Sequence, residues 1–361
     1  MKFIHIADMH FDSPFVNLSD KESLGDLRRL EQRKAFKKVI DYIKENNIKF
    51  LFISGDLYEQ KYIKKSTIEF INNQFREIPE TKIFISPGNH DPYVKNSYYN
   101  KFTWNDNVKI FNSEIEKVEL EDCNVYGFGF DNFYCKNSGI EEFELEDKNK
   151  LNILIIHGTL NGGAIEDNEY NTLYTKQLKE KGFDYIALGH IHKLDYNGKQ
   201  NQNIVYPGST ISLGFDELGE HGMIVGHLKK GNIKLDFIPL DETEFKLYEL
   251  DVTEINFKED LIEKINDLEF DENNLIEIIL VGKRNFEIDK YEINKLISNE
   301  KVIKIKDKTK INYNLENLAN ENTLKGLFAK EMLEKLSSDS LSEEQKQIVE
   351  KAIEIGFEAL E

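Results

Sequence analysis

The sequence predicts a layered α/β fold of mixed sheets flanked by helices over residues 1–240, followed by a small α+β module and a C-terminal helical hairpin. Three observations predict it. Short apolar runs of strand length alternate with amphipathic helical patterns and then give way to a run of strands, which is how a mixed sheet with helices on its faces reads. The 361 residues, 40% hydrophobic and 31% charged, suffice to bury a core and suit more than one domain. Beyond Asp241 the chain turns acidic: residues 241–361 hold 30 acidic and 17 basic side chains, or −13 of the total −19.

The elements follow in order. Strands are expected at Phe3–Ala7, Phe50–Ser54, Lys82–Ser86, Val125–Gly129, Ile153–Ile156, Tyr185–Leu188, Ile204–Tyr206, Met223–His227 and Ile233–Ile238, each a short β-branched or aromatic run closed by turn residues. Helices are expected at Leu27–Glu45, with Leu27, Leu30, Phe36, Val39, Ile40 and Ile43 along one face, at Ser66–Arg76 and at Leu173–Glu180. The module at 241–315 reads as strand Lys246–Asp251, helix Phe257–Asp267, strand Leu275–Val281, helix Lys290–Ser298 and strand Val302–Lys306. In residues 316–361, Thr323–Leu336 and Ser342–Leu360 form a helical hairpin, with Ser342 and Gln345 at capping-box spacing. Its apolar stripe runs through Leu324, Leu327, Phe328 and Leu333, with Ile348, Ala352 and Leu360 opposite.

Composition excludes several classes. No apolar run approaches the roughly 18 residues that cross a bilayer, and Lys2–Ala7 enters a strand directly, with no signal-peptide pattern, so a cytoplasmic protein is expected. Two cysteines, Cys123 and Cys135, match no zinc spacing and read as reduced thiols. The net negative charge repels polyanions, so nucleic-acid contact must rest on local basic patches or bound cations.

Metal-competent side chains recur directly behind the strands: Asp8 and His10, Asp56, then Asn89, His90 and Asp91, then His157, then His190 and His192. Open α/β sheets place their sites at these carboxyl ends. Gly55, Gly88, Gly158 and Gly189 accompany four of the five clusters, where the backbone must turn sharply. Taken singly, each is an ordinary turn or cap residue; Asp91 before Pro92, for instance, suits a helix N-cap. Together they hold five of the eight histidines. In Asp8-Met9-His10 and His190-Ile191-His192, side chains two apart point the same way along an extended chain. Seven oxygen and nitrogen ligands exceed one zinc and suit two cations sharing Asp56. The lack of thiolate favours manganese or iron.

In this order, Asp8-x-His10, Gly55-Asp56, Gly88-Asn89-His90-Asp91, His157 and Gly189-His190-x-His192 resemble the calcineurin-like metallophosphoesterase superfamily. Asp12-Ser13-Pro14-Phe15, Tyr206-Pro207-Gly208-Ser209 and the C-terminal extension are similar to its DNA repair exonuclease branch, the SbcD and YhaO-like nuclease subunits. The resemblance implies a metallophosphoesterase sandwich with a DNA-capping-like domain. It implies two divalent ions, manganese first, with iron, zinc or magnesium as alternatives. Asp8, His10, Asp56 and His192 would surround one ion and Asp56, Asn89, His157 and His190 the other. His90 would sit over the scissile phosphate, with Asp91 orienting it and raising its pKa. It further implies a DNA substrate, a coiled-coil SbcC-like ATPase gripped by the C-terminal helices, and a homodimer. One departure is Glu59, where nuclease members often carry a second histidine three residues after the bridging Asp; an ionised acid there opposes phosphate. Hydrolysis of small phosphate esters or cyclic nucleotides is the alternative activity, and an ATPase-associated assembly subunit with slow hydrolysis the alternative class.

Other features have two readings. Arg28, Arg29, Arg33, Lys34, Lys37 and Lys38 on the first helix, with Lys61, Lys64 and Lys65, form either a phosphate track or a solvated face. Tyr93, Tyr98, Tyr99, Phe102 and Trp104 either stack unpaired bases or pack inside. Lys304, Lys306, Lys308 and Lys310 either flank DNA or protect a strand edge.

Overall fold

The structure, a computed structural model, describes residues 1–15, 18, 22–161, 170–198, 202–337 and 341–360. It divides into two compact units, Met1–Phe245 and Lys246–Glu361.

The first unit contains β1 (Lys2–Ile6), α1 (Glu22–Asn46), β2 (Phe50–Ile53), α2 (Lys65–Arg76), β3 (Lys82–Ile85), α3 (Tyr98–Lys101), β4 (Val108–Ile110), β5 (Glu116–Glu119), β6 (Cys123–Phe128), β7 (Leu151–His157), α4 (Thr175–Lys181), β8 (Tyr185–Gly189), β9 (Ile204–Val205), β10 (Gly222–Lys229) and β11 (Asn232–Pro239). One sheet runs β11-β10-β1-β2-β3-β4 and the other β5-β6-β7-β8-β9. Both are mixed: β1 to β4 are parallel with β10 antiparallel beside β1, and β6 to β9 are parallel with β5 antiparallel at the edge.

Alternation along each strand builds four layers. On β1, Phe3 joins Phe52, Phe84, Val125, Ile153, Ile155 and Tyr185 between the sheets. Ile4 and Ile6 point the other way, onto Phe36, Val39, Ile40, Ile43, Ile68, Ile71 and Phe75 of α1 and α2. On the far face Leu154, Ile156, Ile186 and Leu188 pack on Leu173, Leu178 and Phe183. The first turns of α1 differ from expectation, because Leu27 and Leu30 are about half exposed while Arg28 is fully buried. Both thiols are free.

The second unit holds β12 (Glu244–Asp251), whose first two residues precede it, α5 (Lys258–Asn266), β13 (Asn274–Val281), β14 (Lys283–Arg284), α6 (Lys290–Leu296), β15 (Val302–Asp307), β16 (Lys310–Ile311), α7 (Leu315–Leu318), α8 (Leu324–Leu336) and α9 (Glu343–Glu358). A sheet β12-β13-β15 and a pair β14-β16 form, and Leu250, Leu261, Ile265, Ile276, Ile278 and Ile293 build the core. The capping box of Ser342 and Gln345 is present at the start of α9. Between α8 and α9 the buried residues are Ala329, Met332, Ile353 and Phe357; the expected stripe residues Leu324, Leu327 and Ile348 stay exposed. Among the described residues no helix is long and apolar enough to cross a membrane.

Candidate dinuclear metal centre

The loops leaving β1 and β2 are zipped together by their backbones. Asp8 N–H donates to Gly55 O at 3.1 Å, His10 N–H to Asp56 O at 2.9 Å and Phe11 N–H to Leu57 O at 3.0 Å. Asp8, His10 and Asp56 adopt φ of 51°, 48° and 52°, and His190 adopts 104°, a left-handed conformation that is costly for side-chain-bearing residues. Four such residues at one centre mark where the surrounding structure holds backbone against its preference. Gly88 is required by close approach, since a Cβ there would lie 2.3 Å from Asp56 Oδ1.

The seven expected ligands gather at one centre in overlapping groups, and a further group, His10–Asp56–His90, includes a histidine not expected as a ligand. Asp8, His10 and His192 bring one ligand atom each within 4.8 Å of one another, and so do Asp56, His157 and His190. Asp56 Oδ2 lies 3.3 Å from His157 Nε2 and 3.8 Å from His10 Nε2, so it faces both groups. Asn89 Oδ1 lies 3.0 Å from His157 Nε2 and 3.2 Å from His190 Nδ1. His10 and His192 point their Nε2 atoms at each other across 3.0 Å. Facing imidazole nitrogens, two aspartates and no sulfur constitute a donor set suited to two hard or intermediate divalent cations.

The outer nitrogens of three rings are engaged from behind. His10 Nδ1 contacts Glu59 Oε1 at 2.7 Å, His192 Nδ1 contacts Glu217 Oε1 at 2.6 Å and His157 Nδ1 donates to Ser54 O at 2.9 Å. Such bonds fix the tautomer and turn the Nε2 lone pair inward. Glu217 also accepts from Ser209 Oγ at 3.0 Å and Leu213 N at 3.1 Å. The Tyr206–Ser209 stretch closes the site from this side: Ser209 N–H donates to His192 O at 3.0 Å and the Tyr206 hydroxyl to Gly158 O at 2.7 Å. Glu217 and Ser54 carried no signal in the sequence; Glu217 lies in a polar loop 25 residues past the histidine it holds.

His90 stands at the mouth, its side chain 45% exposed, with Nδ1 3.0 Å from Glu59 Oε2. Asp91 does not orient its ring. The Asp91 carboxylate is wholly buried and accepts from Gly88 N (2.7 Å), Asp56 N (3.0 Å), Leu57 N (2.6 Å) and the Tyr99 hydroxyl (2.6 Å). It braces the Asp56 and Gly88 loops, and it reaches His90 only as a through-space charge. Glu59 likewise differs from expectation: both its oxygens are taken by imidazoles, so it presents no free acid to a phosphate.

Burial lowers the His90 pKa, but the Glu59 hydrogen bond and the charges of Asp56, Glu59 and Asp91 outweigh it and lift the ring to about 9. Against the same burial, Asp56 lifts His157 to about 9, and the Glu217 bond with the Asp8 charge lifts His192 to about 9. Burial and then the His157 charge take His190 down to about 3. Burial and then the Asp56 charge raise Asp91 to about 6, against its four donors. Without cations, protons on His157 and His192 supply positive charge, so metal binding there would release them.

Four of the six basic residues of the first helix are engaged within the protein. Arg28 makes a bidentate pair with Asp241 at 2.8 and 3.0 Å and donates to Ser212 O at 2.7 Å. Arg29, Arg33 and Lys38 are engaged by Asp26, Thr67 and Glu242. The aromatic run packs on the core beside α2, with Tyr99 bonded to Asp91. Lys304 and Lys310 pair with Glu277 and Glu354.

Comparison with known proteins adds to this geometry. The profile of the calcineurin-like phosphoesterases (Metallophos) matches residues 1–194. The chain is 27% identical over 276 residues to the uncharacterized metallophosphoesterase YhaO of Bacillus subtilis (strain 168), covering 74% of this chain and 67% of that one. It is 28% identical over 301 residues to the SbcD component of the SbcCD nuclease of Staphylococcus epidermidis, covering 73% of this chain and 75% of that one. The solved structure of TT1561 of Thermus thermophilus matches with a TM-score of 0.37 at 11% identity, over 65% of this chain and 98% of that one.

Proposed function

The chain belongs to the calcineurin-like phosphoesterase family, and from that premise we propose that it hydrolyses phosphodiester bonds of DNA as the nuclease subunit beside a coiled-coil ATPase, with manganese as its ion. The observation that carries the hydrolytic reading is the convergence of Asp8, His10, Asp56, Asn89, His157, His190 and His192 beneath a single exposed histidine. Two divalent cations held by this set would neutralise phosphodiester oxygens and lower the pKa of an attacking water.

The remaining work falls to the protein. Asp56 faces both ligand groups and spaces them, and the left-handed loops behind β1, β2 and β8 fix where the donors stand. His90, with Nδ1 committed to Glu59, presents Nε2 at the open mouth, where it protonates the leaving oxygen or offsets its charge. The sequence similarity to an SbcCD nuclease component supports DNA as substrate. The exposed Leu324, Leu327, Ile348 and Ile355, left outside the core of the α8–α9 pair, support docking of that pair into an apolar groove of the ATPase.

The test is hydrolysis of end-labelled single- and double-stranded DNA with manganese by wild type and His90→Ala. The reading expects cleavage by wild type and a loss of about 10²–10⁴-fold in the variant at unchanged metal content. Hydrolysis of bis(p-nitrophenyl) phosphate but not DNA by wild type, with or without the ATPase, would move the substrate to small phosphodiesters.

A further inference from the structure

We infer that Glu59 is a positioning residue that joins a metal-binding histidine to the phosphate-facing histidine through one carboxylate. The inference rests on the proposed hydrolytic reading of the site and deepens it.

Each Glu59 oxygen engages one imidazole: Oε1 meets His10 Nδ1 at 2.7 Å and Oε2 meets His90 Nδ1 at 3.0 Å. The two rings stand edge to face, 4.7 Å apart at 82°. Glu59 is itself fixed. Its N–H donates to Phe11 O at 3.0 Å, its carbonyl accepts from Tyr62 N at 2.9 Å and Ile63 N at 2.8 Å, and the next residue, Gln60, donates to His90 O at 2.9 Å. The side chain is 15% exposed, so little water competes for its oxygens. Glu59 thus sits where the loops after β1, β2 and β3 cross.

The bond to His10 commits Nδ1 as donor and leaves Nε2 for a cation. The bond to His90 commits the same nitrogen and leaves the Nε2 of this half-exposed ring free of Glu59. The other ring partners do not make this link. Glu217 holds His192, Ser209 and a backbone N–H, and the carbonyl of Ser54 holds His157. Among the described residues only Glu59 hydrogen-bonds the rings of both a ligand histidine and His90; Asp56 instead accepts from the His90 backbone N–H. A glutamine there offers one oxygen and one NH₂, so one of the two imidazoles would have to change tautomer or let go.

The experiment compares Glu59→Gln, Glu59→Asp and Glu217→Gln with wild type in the full chain, with thermal denaturation confirming that each folds. Manganese titration by calorimetry, without substrate, reads the ion positions. Histidine ring-nitrogen chemical shifts read the tautomers. Steady-state kinetics on bis(p-nitrophenyl) phosphate at saturating manganese read turnover. Glu59→Gln and Glu217→Gln should each weaken one manganese position by about 10–100-fold, as loss of a carboxylate behind a ligand does. Glu59→Gln alone should also shift the His90 ring nitrogens and lower kcat at least tenfold below that of Glu217→Gln, with KM little changed. Glu59→Asp should recover part of both effects.

Wild-type His90 ring shifts in Glu59→Gln, or a kcat equal to that of Glu217→Gln, would overturn the inference. If no form hydrolyses the ester, the hydrolytic reading falls, while the titration and the nitrogen shifts still decide what Glu59 holds.

Discussion

Asp91→Asn isolates the brace beneath the metal centre. The wild-type carboxylate satisfies four buried donors with two oxygens: Asp56 N and Gly88 N on Oδ1, Leu57 N and the Tyr99 hydroxyl on Oδ2. An amide keeps one oxygen and therefore one of these pairs. With that oxygen on the Oδ1 side, the new NH₂ faces Leu57 N–H and the Tyr99 hydroxyl. The hydroxyl can rotate to accept, but the backbone N–H cannot. One orphaned buried amide costs about 1–3 kcal/mol, and easing the repulsion between Asp91 and Asp56 offsets part of it. At about 2–4 °C per kcal/mol for a unit of this size, Tm should fall by roughly 2–10 °C. Asp91→Ala strands all three N–H groups and should cost more than the amide. The assays are differential scanning calorimetry and manganese content after dialysis, with both variants expected to retain less metal because the Asp56 and Gly88 loops loosen. Wild-type Tm and metal content with slowed turnover would refute the brace, because the side chain would then act on His90 rather than on the loops.

Three further outcomes are expected. Gly88→Ala should abolish retention of at least one cation, measured by inductively coupled plasma analysis, because its Cβ would fall 2.3 Å from Asp56 Oδ1 and 2.9 Å from His157 Cε1. Arg28→Met should destabilise the first unit by about 3–5 kcal/mol in urea denaturation, because it leaves Asp241 charged and buried without its partner. With chelator present, Tm should decline between pH about 6.5 and about 9. His157 and His192 are held at about 9 against an ordinary 6.5, so their contribution is full below 6.5 and is lost as pH rises through 9. Excess manganese should remove that decline, since cations replace the protons.

The strands behind the candidate ligands were legible because each is a buried apolar run ending in a polar turn, glycine-marked in all but the first. Asp56 and His157 could therefore be placed from sequence alone, although they are about a hundred residues apart. What stayed hidden depends on partners remote in sequence. Arg28 looked like one more surface cation, and only Asp241, 213 residues away, explains why it is the buried face of α1 while Leu27 is not. Tyr99 read equally as a stacking or a packed ring, and its hydroxyl's bond to the buried Asp91 carboxylate explains why it lies inside. In the hairpin, periodicity marked Leu324 and Leu327 as an apolar stripe without saying what covers it. The helices instead meet over Ala329 and Met332, where smaller side chains allow Phe357 to enter. Strands β4 and β5 are short, half-exposed and charged, which leaves no apolar run to detect.

Charge at the centre bears on how an acidic chain can receive a phosphodiester. Asp8, Asp56, Glu59, Asp91 and Glu217 place five carboxyl groups within or directly behind the ligand set, in a protein whose total is already −19. Two divalent cations would bring +4, and His90, lifted by Glu59, adds a further positive group at the mouth. The centre is then close to neutral where the substrate lands, even though the average surface repels it. Cations in such a site have two tasks, of which activating water is the second. The first is to cancel the carboxylates that hold the histidines in place, because the same charges that order the imidazoles would otherwise exclude the phosphate they serve.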